Sequence, residues 1–147
     1  MTQLTSHFSL EELTHTEQRG LDNTCPPELL PELLETAKMM ERIRSVLAVP
    51  VFVSSGYRSL AVNAAVGGSA RSDHVKAMAV DFKAPQFGTP YQVCKLLAGQ
   101  MDSLGIGQVI LEYNRWIHVS RNHPTKVINR VITISSAGTE VGIQVVT

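Results

Sequence analysis

The spacing of apolar side chains divides the chain into a helical first part and a strand-rich second part. From about Pro31 to Leu47, the residues Leu33, Leu34, Ala37, Met40, Ile43, Val46 and Leu47 recur at three- and four-residue steps. That period predicts a long amphipathic helix, with Glu35, Lys38, Glu41 and Arg42 on its solvated face. Ahead of it, Ser9 followed by Glu12 forms a capping box for a short helix striped by Leu10 and Leu13, and Pro26, Pro27 and Pro31 punctuate the connection. Val49 to Ser54 is β-branched and aromatic and predicts a strand; a short helix over about Leu60 to Val66 ends at Gly67-Gly68-Ser69. Met78 to Lys83 alternates as a second strand, which leaves His74 at a loop or strand edge and places Asp81 inside the strand. Thr89 before Pro90 starts another helix, striped by Val93, Leu96, Leu97 and Met101 and leaving through Leu104-Gly105. Strands are expected at Gln108 to Glu112 and Trp116 to Ser120, joined by Tyr113-Asn114-Arg115. Val127 to Ile134 and Val141 to Val146, around Ser135-Ser136-Ala137-Gly138, read as a closing hairpin.

Helices early and strands late favour an α+β fold with a largely antiparallel sheet, flanked by helices, over a doubly wound parallel one. No repeat, low-complexity tract or linker interrupts the pattern, and 147 residues suffice for one core, so a single domain over 1–147 is expected. Thirteen basic side chains balance thirteen acidic ones, which removes the global field that would recruit nucleic acid or an anionic membrane. No apolar stretch approaches the ~20 residues of a membrane span. Cys25 and Cys94 lie in no metal-ligand spacing and are too few for a disulfide framework, so free thiols are expected. Met1 to Leu10 has neither a basic n-region nor an apolar run, which predicts synthesis in the cytoplasm without an export signal of its own.

The chemistry stands where polar groups interrupt apolar strands. His118 sits among Trp116, Ile117 and Val119, where an unpartnered imidazole costs roughly 1–3 kcal/mol. Asp81 lies among Met78, Ala79, Val80 and Phe82, and a buried carboxylate without a counter-charge is more costly still. A shared divalent ion answers both needs; an arginine for Asp81 and a backbone carbonyl for His118 answer them equally. With His74 added, two imidazoles and a carboxylate make a donor set that zinc accepts at about 2.0–2.2 Å, leaving the fourth position to water as catalytic sites do. His7, His15 and His123 have no such surroundings and read as ordinary satisfied histidines.

Three segments occur in order: Ser55-Gly56-Tyr57-Arg58-Ser59, then Ser72-Asp73-His74 through Ala79-Val80-Asp81, then Trp116-Ile117-His118. Together they resemble the signatures of the zinc D-alanyl-D-alanine carboxypeptidases and related phage endolysins that cut bacterial cell-wall peptides. Phe8-Ser9-Leu10-Glu11-Glu12-Leu13 and Asn63-Ala64-Ala65-Val66-Gly67-Gly68-Ser69 resemble the small phage-type branch. The likeness spans about Phe8 to Ser120. It implies one Zn2+ held by His74, Asp81 and His118, a peptidoglycan stem peptide containing D-residues as substrate, Arg58 near that substrate, and Ser72 as a further substrate contact. Set beside the lack of an export signal, this likeness favours a phage or prophage lysis enzyme that reaches the wall after another protein opens the membrane.

Two positions depart from the family pattern. Ala77 stands where the motif has glycine, so a backbone requiring φ > 0 there is strained. Arg115 stands where the general base often lies, and a guanidinium accepts no proton at working pH. Glu112 is the substitute base if Tyr113 to Arg115 form a three-residue hairpin loop, because Glu112 then pairs with Trp116 and shares the face of His118; a two-residue loop puts it on the opposite face. The competing reading is a non-catalytic metal-bearing module or phage structural component that retains the ligand set, in which Ala77 and Arg115 mark lost chemistry.

Overall fold

A computed structural model describes residues 2–125 and 128–146. The Ser9 hydroxyl accepts the Glu12 N–H at 3.1 Å while the Glu12 carboxylate accepts the Ser9 N–H at 3.1 Å, and this reciprocal cap opens α1, Leu10–Leu13. After a 3-10 turn at Pro27–Leu29 comes α2, Leu30–Leu47, which carries a proline in its first turn and ends at Ala48 in the left-handed region. Its buried face is Leu33, Thr36, Ala37, Met39, Met40, Ile43 and Leu47. The apolar members contribute about 1.5–3 kcal/mol for each large side chain removed from water.

The strands are β1 Phe52–Ser55, β2 Ala79–Lys83, β3 Ile106–Glu112, β4 Trp116–Arg121, β5 Arg130–Ser135 and β6 Gly138–Val141. They form one sheet in the order β1-β2-β4-β3-β5-β6, antiparallel throughout except for the parallel β3–β5 pair. The remaining helices are α3 Leu60–Ala65, α4 Pro90–Ala98 and α5 Met101–Leu104. The α+β class with a mostly antiparallel sheet is thus the fold of the chain.

Register fixes what each face does. Val80, Phe82, Val109, Leu111, Ile117 and Val119 point to one side, where they join the α2 and α4 residues in the buried apolar cluster. The period of two then puts Asp81, His118, Trp116, Ser120, Gln108, Ile110 and Glu112 together on the opposite side.

Four boundaries differ from the periodicity. The first strand begins at Phe52 rather than Val49, because Pro50 lacks the donor a ladder needs. The helix expected through Leu104 breaks at Gly99 into α4 and α5. In the closing hairpin β6 comes earlier than Val141 to Val146, because Gly138 pairs with Ser135 and so belongs to the ladder rather than to the turn. The expected start of its partner strand at Val127 lies outside the described residues, and β5 begins at Arg130. Cys25 and Cys94 are free and buried, and burial pushes the Cys94 thiol up to about 12. No helix of the described residues is long and apolar enough to cross a membrane.

Candidate metal centre and its cleft

Each of the three polar interruptions reaches the same point from a different direction. His74 comes from the turn before β2, Asp81 from the middle of β2, and His118 from the paired position on β4. One ligand atom from each lies within 4.8 Å of the other two, and all three residues are buried. The imidazole rings stand edge to face, centroids 5.0 Å apart.

The second nitrogen of each ring decides which nitrogen faces inward. His74 Nδ1 is 2.7 Å from the Gly56 carbonyl oxygen, which can only accept, so Nδ1 carries a proton and Nε2 is the nitrogen that faces Asp81, 3.2 Å from Oδ1. His118 Nε2 lies 2.9 Å from the Ser120 hydroxyl, while Nδ1 lies 2.9 Å from Asp81 Oδ1. The Ser120 hydroxyl and the Gln108 side-chain amide nitrogen, 3.4 Å away, occupy Nε2, which leaves Nδ1 as the nitrogen directed at Asp81. Partners of this kind fix tautomer and ring orientation in histidine metal sites. Two inward nitrogens and a carboxylate in a buried setting fit a borderline-soft divalent ion such as zinc.

Asp81 also meets Arg58, whose Nη2 is 3.3 Å from Oδ2, so the carboxylate divides its oxygens between the imidazoles and the guanidinium. The arginine alternative for Asp81 and the convergence of imidazoles therefore both hold, whereas His118 takes a serine hydroxyl rather than a backbone carbonyl. Burial pushes the Asp81 carboxyl up, but hydrogen bonds from His118 and His74, with their charge, overcome that cost and hold it well below the usual carboxylate range.

The loop between β3 and β4 has three residues: Glu112 pairs with Trp116, and the Arg115 N–H donates to the Glu112 carbonyl at 3.0 Å. Glu112 consequently faces the same side as His118, its Oε1 3.8 Å from His118 Nδ1. Burial and the nearby Asp81 charge raise its pKa, against the smaller opposing pull of His118 and Arg58. Arg115 is exposed in the loop.

Ser72 lines the cleft, and its hydroxyl accepts the His74 N–H at 3.2 Å. Arg58 anchors itself through Nε–H to the Ser55 hydroxyl at 3.1 Å, and its backbone N–H donates to the His74 carbonyl at 3.0 Å. The cleft over the triad has a volume of about 910 Å³, and Arg71, Lys76, Arg121 and Arg130 also line it. Of the histidines read as ordinary, His7 pairs with Glu41 and His15 with Glu17, while His123 lines this cleft.

Ala77 adopts φ +60°, the left-handed conformation that costs an L-residue roughly 1–2 kcal/mol, so the strain expected from its replacement of glycine is present. Ser120, two residues beyond His118 on the same strand face, was readable from the period of two and was missed. The Gly56 carbonyl had no readable signal. Gly56 itself is required by contact, since a Cβ there would overlap the Leu13 carbonyl.

A β-sheet face carrying one imidazole, an aspartate and a glutamate, with a second imidazole brought over it by the turn before β2, defines a metallohydrolase-type centre. A family model described as Peptidase M15 matches residues 6–120, and the chain belongs to that family. It is accordingly a peptidase of the metal-dependent kind, a hydrolase. No curated protein matches the chain.

Proposed function

We propose that the protein is a zinc-dependent peptidoglycan peptidase that cleaves stem peptides containing D-amino acids, as a D,D-carboxypeptidase or an endolysin-type endopeptidase. The observation that carries this reading is the convergence of His74 Nε2, Asp81 Oδ1 and His118 Nδ1, with the Glu112 carboxylate 3.8 Å from His118. Family membership supports it, because peptidases of this family are zinc-dependent and act on peptidoglycan peptides.

His74, Asp81 and His118 would hold one zinc ion, which supplies Lewis-acid polarisation of the scissile carbonyl and acidifies water when bound. Glu112 takes a proton from the attacking water and returns it to the leaving amine; a raised pKa brings the carboxylate closer to that double duty. Arg58 keeps Asp81 oriented and presents its remaining N–H groups to the substrate carbonyl or carboxylate. Ser72 holds the His74 backbone and lines the substrate's path. Arg71, Lys76 and Arg130 around the cleft suit the free carboxylates of a wall peptide. The enzyme would act on the wall after phage-type release from the cytoplasm.

Mass spectrometry of purified peptidoglycan fragments, with and without a chelator, tests this. Release of terminal D-alanine identifies a carboxypeptidase, and new stem-peptide termini identify an endopeptidase. Zinc uptake with no amine released from any wall preparation would favour a non-catalytic metal-bearing module instead.

A further inference from the structure

Thr36 is wholly buried on α2, and its hydroxyl is used away from its own helix. It donates to the Ala77 carbonyl at 2.6 Å and accepts Arg121 Nε–H at 3.0 Å. A second arm of Arg121 pairs with Glu32, one turn earlier on α2. Arg121 closes β4, three residues after His118, and its backbone N–H donates to the Met78 carbonyl at 2.9 Å. The Ala77 N–H donates to the His74 carbonyl at 3.2 Å. Ala77 therefore sits in a left-handed turn with its N–H bound to His74 on one side and its carbonyl bound to the helix on the other.

We propose that the Thr36 hydroxyl, aligned by the Arg121–Glu32 pair, is a positioning group for the metal centre: it holds the strained Ala77 turn that delivers His74 to Asp81. The inference rests on the zinc reading above. Glutamate fixes the guanidinium, the guanidinium occupies one lone pair of the hydroxyl, and the hydroxyl proton is thereby directed at the Ala77 carbonyl. With that acceptor released, the L-residue at 77 is free to leave the left-handed region, and His74, three residues earlier in the same turn, moves with it.

The test is a competition titration of zinc against a chelating indicator on the intact chain, with thermal unfolding of each metal-free variant measured alongside. Thr36→Val keeps the shape and deletes the hydroxyl; it is expected to weaken zinc binding about tenfold, the lower end of what outer partners of metal ligands contribute. Thr36→Ser keeps the hydroxyl and is expected to restore affinity. On an Ala77→Gly background the Thr36→Val loss should shrink, because glycine holds φ > 0 unaided. Glu32→Gln, at the half-exposed start of the helix, is expected to give a smaller loss and supplies a variant that folds even where Thr36→Val does not. Unchanged zinc affinity in Thr36→Val and Glu32→Gln, with only a lower melting temperature, overturns the positioning role while leaving the metal centre standing. Equal weakening by Thr36→Ser and Thr36→Val overturns it as well. A wild-type chain that takes up no zinc overturns the metal reading and this inference together.

Discussion

Strands β2 and β4 lie side by side with most of their residues buried, whereas all four residues of β6, at the far edge of the same sheet, are exposed. One face of the β2–β4 pair is closed by α2 and α4, and the other is roofed by the segment that carries Arg58, Ser72 and His74. Edge strand β6 has no such roof and presents Thr139 and Glu140 to water, the kind of edge that resists pairing with other chains. The contrast teaches where this sheet tolerates charge. In the centre His74, Asp81, His118 and Arg58 are matched to one another, while the buried Trp116 indole N–H beside them has no protein partner, and the matching is what creates a reactive site; at the edge polarity is matched by water and creates nothing.

Removing the centre's shared partner should break that contrast most severely. Asp81→Ala strips both imidazoles and Arg58 of a common acceptor, and we expect zinc content near zero with peptide release reduced by at least ~10³-fold, read by elemental analysis and fragment assay. Glu112→Gln should lower kcat by about 10²–10⁴-fold while zinc stoichiometry stays at one, which separates proton transfer from metal binding. In urea unfolding, Ile117→Ala on β4 should cost about 2–5 kcal/mol, as buried isoleucines do. Val141→Thr on β6 should stay within about 0.5 kcal/mol.

A gentler test uses pH on the metal-free protein, where the two acidic groups of the site have opposite signs. Asp81 is held below its ordinary value of 3.8, so it contributes stability that is fully present above pH 3.8 and is lost as pH falls further. Asp81→Asn should therefore destabilise at pH 7, and its difference from wild type should fade under acid. Glu112 is raised above its ordinary 4.5, so its ionised form costs stability once pH exceeds that value. Glu112→Gln should then stabilise the metal-free fold at pH 7, with the gain vanishing as pH drops towards 4.5. Matching signs in denaturation curves at several pH values would contradict the geometry of the pair.

Much of this architecture was legible locally. The Ser9–Glu12 cap, the helix start at Thr89-Pro90, the α2 stripe and the alternation of β2 each depend on neighbours a few residues apart, and each appears within a few residues of where the pattern puts it. The hairpin was harder: a two- or three-residue loop gives opposite faces to Glu112, and the sequence allowed both, while the ladder selects Glu112 opposite Trp116. The parallel β3–β5 pairing had no local signal, because it is decided by which strand edges remain free once β4 has inserted between β2 and β3.

By itself, then, the chain determined which residues carry chemistry, since an aspartate and a histidine inside apolar strands demand partners wherever the strands go. Tertiary structure alone decided the distant partners: Gly56 for the outer nitrogen of His74, Arg58 for the second aspartate oxygen, and Thr36, forty-one positions away, for the Ala77 carbonyl. The physical reason is range. Caps, stripes and alternation are satisfied within one or two turns of backbone, whereas a buried lone pair takes whichever donor the packed sheet and helix bring to it.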